Sequence, residues 1–232
     1  MYTQIHAWLN RTHPLPKRFS LPSNADTLDN HWLVFVCLDE VHPLHMAASL
    51  QWRSLAESAA TAKQYVNNAI AILGSDQVEE QGDKTDVISA LGPPPRQATP
   101  LYIITTRGSD KEEVVYLGKT TARSRFSGGH LAALKLHAPE FRDQDKLIYR
   151  CSITVILDGD NVALEWIDPI GTATAILYDV ESRLIHDLQP QLNTLKRSRD
   201  AARNKSAIHV QNTVSGCGID SFMHDYIIDQ IV

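Results

Sequence analysis

Three consecutive prolines, Pro93 to Pro95, interrupt the chain in LGPPPRQATP, Leu91 to Pro100. Each lacks a backbone N–H and fixes φ at roughly −65°, so the run fits neither a helix interior nor the middle of a sheet. It reads as an extended spacer and as the best domain boundary. The polar, acidic stretch 75–86 leads into it and reads as a loop. Three parts follow: a mainly helical region 1–92, a small unit 99–205, and a tail 206–232 that packs on the core or a partner subunit.

Before the prolines, Trp32 to Leu38 (WLVFVCL) is a strand candidate or a buried segment of undecided type. Residues 46–73 read as one helix. Ala48, Trp52, Leu55, Ala59, Ala62, Val66, Ala69 and Leu73 recur at alternating steps of four and three, which sets one apolar stripe inward. Cys37, His42 and His45 lack a fourth ligand and a metal-site spacing, so they read as structural.

After the prolines the pattern changes. Leu101 to Thr106 and Glu113 to Leu117 read as strands joined by a turn at Gly108. Residues 122–136 read as mostly helical, with a break near Gly128-Gly129. Leu147 to Leu157 is a third strand, Asp158 to Asn161 a tight turn, and Tyr178 to Leu188 a helix ended by Pro190. The fold class is α/β (α+β): a small three-stranded mixed sheet flanked by helices.

The second strand runs into Gly118-Lys119-Thr120, the tail of a phosphate-binding P-loop. That loop needs a glycine five residues before Gly118, and Glu113 stands there. A carboxylate repels phosphate, so a nucleotide cradle is excluded and the stretch needs another account. Tyr102 and Tyr116 lie on adjacent strands and can share a face. Lys119 follows the turn, Arg125 and His130 fall on the next helix, and Glu181 falls in the first turn of the last helix, with Asn193 beyond its end.

This ordered set resembles the GIY-YIG nuclease superfamily over about residues 99 to 200. Pro100-Leu101-Tyr102 stands for Gly-Ile-Tyr, and Tyr116-Leu117-Gly118, followed by Lys119, for Tyr-Ile-Gly. Arg125 with Phe126 matches the helix arginine, His130 falls near the frequent histidine, and Glu181 matches the metal-binding glutamate. The run Leu188 to Asn193 matches the closing proline and asparagine. Pro100 replaces the first glycine, and Arg123 and Arg125 both fit the arginine's register; Arg125 directly precedes an apolar residue. Glu165 competes with Glu181 but lacks the following proline and asparagine. The arrangement is most like restriction endonucleases of this fold.

The resemblance implies a DNA endonuclease using one Mg²⁺ or Mn²⁺ ion on Glu181. Tyr116 would be the general base or its relay, supported by Tyr102. His130 would contact phosphate or assist proton transfer. These types suit phosphodiester hydrolysis. A tyrosine, with a pKa of about 10, needs a cation such as Lys119 to act as a base. An arginine grips phosphate bidentately, and a carboxylate is a hard ligand for Mg²⁺.

The net charge of −5 excludes a strongly basic nucleic-acid binder. Its distribution is uneven: residues 119–150 carry 7 basic against 3 acidic side chains, and 183–205 carry 6 against 2. Arg123, Lys196, Arg197, Arg199, Arg203 and Lys205 are the candidate DNA contacts. A homodimer suits the cutting of two strands. Three scattered cysteines and the lack of a signal-like or membrane-length apolar run point to a cytoplasmic protein. A low-specificity defence nuclease or toxin, and a silent nucleic-acid-binding member, are the rival readings.

Overall fold

The structure is a computed structural model. It describes residues 3–20, 33–109, 111–121, 126–127, 129–157, 160–202 and 207–214, together with the backbone of 224–226. The elements in chain order are α1 (Gln4–Leu9), β1 (Phe19–Ser20), β2 (Leu33–Pro43), α2 (Leu55–Leu73), α3 (Gln81–Leu91), β3 (Leu101–Arg107), β4 (Glu112–Lys119), α4 (Leu131–Lys135), β5 (Asp145–Leu157), β6 (Asp160–Ala163), β7 (Ile167–Asp168), α5 (Ile170–Leu188), β8 (Ala207–Asn212) and β9 (His224–Tyr226).

The general α+β class holds, but the sheet is larger than three strands. Seven strands form it, in the order β4-β3-β5-β2-β8-β9, with β6 added on β5; β1 and β7 form a separate small pair. Of the expected strands, β3 lies between β4 and β5 and pairs antiparallel with both, and the parallel pairing in this sheet is that of β2 with β8. Residues 1–92 hold the helices α1, α2 and α3, and they also contribute to the sheet. Their 11-residue strand β2 lies in the middle of the sheet, bonded to β5 on one side and β8 on the other. The sheet thus runs across the proline boundary. The proline segment itself is extended, yet Pro94, Ala98 and Pro100 are buried.

Alternation along the strands divides the core between two faces. Leu101, Ile103, Leu117 and Ile153 face α1, α2 and α5 in the larger cluster. Tyr102, Ile104 and Ile148 face Trp52, Phe126, Leu136 and Phe141 in the smaller one. A β-bulge shifts the β3–β4 register between Ile104 and Thr105, leaving Val115 as the extra residue. Val115 and Tyr116 consequently both reach the smaller cluster. Bulges re-aim side chains in this way, often beside active sites.

The helices depart from expectation for local reasons. α2 starts at Leu55, not at 46, because Ser54 and Glu57 form a capping box: the Ser54 hydroxyl accepts the Glu57 N–H and the Glu57 carboxylate accepts the Ser54 N–H. Residues 44–49 form a 3₁₀ turn, and Trp52 sits in the extended link after it. Part of the expected loop 75–86 is helix. The Asp83 carboxylate accepts the N–H groups of Glu79 and Glu80, and Val87 is buried, so α3 starts at Gln81. α5 starts eight residues before Tyr178. Gly171, Thr172 and Thr174 are poor helix formers, but burial of Ala173, Ile176 and Leu177 outweighs them. Glu181 consequently lies mid-helix and not in the first turn. Of the helix expected over 122–136, α4 alone is helical among the described residues; residues 122–125 and 128 lie outside them. Asp158 and Gly159 of the expected turn also lie outside them, as does the Gly-Cys-Gly of the tail. No helix among the described residues is long and apolar enough to cross a membrane.

Glu165 ties the proline segment to the core. It is buried, and it accepts the Ala98 N–H at 3.1 Å. Burial pushes its carboxyl up to about 7, and burial likewise pushes Asp39 up to about 6. In both the folded chain binds the proton more tightly than the unfolded one. Their contribution is complete below about pH 4 and is lost as pH rises through 6 to 7. Glu165→Gln keeps an acceptor for Ala98. We expect it to flatten the fall in urea-unfolding free energy between pH 5 and 8, gaining on the order of 1–3 kcal/mol at pH 8.

Candidate active site

The register of β3 and β4 sets Tyr102 opposite Gly118. A Cβ at 118 would lie 2.6 Å from the Tyr102 hydroxyl oxygen and 2.9 Å from a ring carbon of Tyr116. Glycine is required there because two aromatic rings fill the space. Those rings stack, with centroids 6.1 Å apart and planes inclined by 26°. The Tyr102 hydroxyl is hydrogen-bonded to His130 Nε2 at 2.9 Å. His130 meets Tyr116 edge-on at 5.2 Å and stacks on Phe126 at 4.8 Å.

His130 precedes α4 and does not lie on it. Gly129, at φ 84°, takes the left-handed turn that brings the imidazole in. Trp52 backs the cluster, edge-on to Tyr102 and tilted against Phe126. Arg150, opposite Tyr102 on β5, lies over the Trp52 ring at 5.3 Å. Its guanidinium donates to Glu40 at 3.0 Å and to Thr99 at 2.8 Å. Burial would raise the Glu40 carboxyl, but Arg150, His42 and Arg96 outweigh it and hold the group below its ordinary value.

The second part of the site lies on α5 and the segment after it. Lys119 Nζ lies 3.5 Å from Glu181 Oε2, and Lys196 Nζ donates to the same oxygen at 2.5 Å. Both ammoniums sit on the Tyr178 ring, at 4.6 and 3.8 Å from its centroid. Glu181 and Tyr178 are three apart on one helix and so share a face.

Asn193 joins the two parts. Its Oδ1 accepts the Leu117 N–H and its Nδ2 donates to the Leu117 carbonyl, both at 2.9 Å. The Leu192 N–H donates to the Val115 carbonyl at 2.8 Å. The outer edge of β4 is thus paired by a side-chain amide and a loop where a further strand would otherwise stand. Asn193 positions the wall of the site; its amide is engaged by backbone.

A cleft of about 360 Å³ opens between these parts, lined by Tyr116, His130, Lys135, Glu181, Asn193 and Lys196 among others. The structure therefore brings together Tyr102, Tyr116, Lys119, His130, Glu181, Asn193 and Lys196. Arg123, Arg125, Arg203 and Lys205 lie outside the described residues. The basic segment is not helical over 195–199. Lys196 turns inward, Arg197 is half-buried, and Arg199 is exposed. Glu165 stands apart, bonded to Ala98. Trp52 and Tyr178 were not expected at the site. The i, i+3 spacing of Tyr178 and Glu181 is a usable signal, whereas Trp52 gives none.

The donor set bears on a metal. Among the described residues no group of three or more His, Cys, Asp or Glu could hold an ion. Glu181 is the single acid among the described residues lining the cleft. That fits a cation held by one hard oxygen and completed by water and a substrate phosphate, as Mg²⁺ often is, and not an ion caged by protein. No protein-family model, curated protein or solved structure matches the chain.

Two substitutions test the architecture. Gly118→Ala has to displace a packed tyrosine ring, and we expect a loss of roughly 1–3 kcal/mol in urea unfolding, with quenching or shift of tyrosine fluorescence. Asn193→Ala leaves the Leu117 backbone pair open, with an expected loss of roughly 1–3 kcal/mol in the same measurement.

Proposed function

We propose that the chain is a metal-dependent phosphodiesterase acting on DNA, of restriction-endonuclease type. One observation carries the reading. A tyrosine–tyrosine–histidine cluster and a lysine–carboxylate–lysine cluster border the same open cleft on either side of β4. Hydrolysis asks for both chemistries: a proton acceptor for the attacking water, and positive charge where the phosphate gains negative charge. Tyr116, as its phenolate, takes the proton of the water, directly or through a second water. The hydrogen-bonded pair Tyr102 and His130 fixes the phenol's surroundings and offers a route for the proton. As water's oxygen bonds to phosphorus, the bond to the leaving oxygen breaks, and that oxygen takes a proton from solvent water in the open cleft. Lys119 balances charge at the phosphate. A Mg²⁺ or Mn²⁺ on Glu181 would supply Lewis-acid stabilisation of the phosphate when bound. Arg125 or Arg123 completes the phosphate contacts by resemblance. A homodimer would present two such clefts to a duplex.

Plasmid and phage DNA digestion in Mg²⁺ tests the reading. Wild type should give discrete fragments. Tyr116→Phe and Glu181→Gln should each lower the rate by roughly a hundredfold or more with unchanged circular dichroism. A smear in place of bands would favour the low-specificity nuclease. Intact DNA and RNA in both Mg²⁺ and Mn²⁺ would overturn the enzyme reading.

A further inference from the structure

The sequence marks Lys196 only as one of a strip of candidate DNA contacts, yet it has the closest polar contact in the cleft. Three observations single it out. Its backbone lies at φ 68°, a left-handed conformation that residues with a Cβ adopt rarely. Its ammonium donates to Glu181 Oε2 at 2.5 Å and rests 3.8 Å above the Tyr178 ring. Lys119 approaches the same oxygen at 3.5 Å. The side chains are largely withdrawn from water, at 15% exposure for Lys196 and 11% for Glu181. Two cations therefore share one carboxylate and one aromatic face, and no other acid lines the cleft among its described residues. Among the described residues at this wall the ammoniums outnumber the carboxylates, where a phosphate would lie.

We infer that Lys196 is a resident counter-ion of Glu181, displaced when a divalent cation takes that carboxylate and then free to meet the substrate phosphate. The inference rests on the phosphodiesterase reading. A divalent ion and an ammonium cannot both hold Oε2 at contact distance, since like charges so placed repel strongly. The released arm borders the same cleft and carries the charge type that a phosphate attracts. Lys196 is on this account a positioning residue that sets metal affinity, and a phosphate contact once metal is bound.

The test measures Mn²⁺ binding by electron paramagnetic resonance, separately from cleavage. Lys196→Met should bind Mn²⁺ roughly tenfold more tightly than wild type, the scale of one charge interaction in a partly solvated site. Glu181→Gln should lose the site. With Mn²⁺ present and cleavage blocked by Tyr116→Phe, adding Lys196→Met should weaken binding of a DNA duplex and reduce the slope of log affinity against log salt by about one. Lys196→Gly guards against misfolding, because glycine accepts the left-handed backbone; it should melt no lower than wild type and show the same gain for Mn²⁺. Equal or weaker Mn²⁺ binding by both variants, beside a site lost in Glu181→Gln, would overturn the inference. Absence of a Mn²⁺ site in every protein would overturn it too. Tighter Mn²⁺ binding without DNA cleavage by wild type would sink the hydrolysis reading and leave the counter-ion role standing. Cleavage with unchanged Mn²⁺ affinity would do the reverse.

Discussion

Double pairing of β5 is the constraint from which the rest follows. Residues 147–151 bond to β3 on one edge and to β2 on the other, so Cys151 faces Leu101 and Leu38 at once. That stretch is paired along both edges, and burial of its side chains forbids a one-residue slip, which would turn Tyr149 and Cys151 to the wrong sides. The register of β3 on β5 sets Tyr102 beside Arg150. The register of β4 on β3 then sets Gly118 beneath the Tyr102 ring. The aromatic part of the cleft is thus located by hydrogen bonding two strands away.

The segments on either side of the prolines meet in this one sheet. β2 fills the place next to β5, Trp52 leans on Tyr102, and Glu40 holds Arg150. The proline run crosses between them with its Ala98 N–H given to buried Glu165. An extended, donor-poor segment suits such a crossing, since it asks few hydrogen bonds of the core it traverses.

What the amino-acid order made legible was local. The β3–β4 hairpin and β5 follow from β-branched runs and a glycine turn, and of the side chains read in order along the chain Tyr116, His130, Glu181 and Asn193 line one cleft, with Tyr102 held to His130 and Lys119 to Glu181. What stayed hidden depended on distant partners. Strand β2 could not be placed in the same sheet, because nothing near Leu33–Pro43 reports a pairing with residues 147–155. The first half of α5 was masked by Gly171 and two threonines, whose poor propensity is overridden by burial. The left-handed turn at Lys196 and its inward ammonium carry no periodic signal, so a basic run read as a surface strip hides a residue of the cleft. The Ser54–Glu57 box, by contrast, was visible as letters and would have corrected the start of α2.

The parallel pairing of Leu33–Leu38 with Ala207–Asn212 has a temporal consequence. A chain made from its N-terminus exposes β2 long before β8 exists, and long-range pairings of this kind close late because their loop entropy is met before any contact rewards it. The cleft obeys the same order, since its wall at Leu192–Lys196 follows the tyrosines by about eighty residues. No nascent fragment shorter than that wall holds both halves of the site. The chemistry proposed for it is withheld until synthesis has passed the last of its parts.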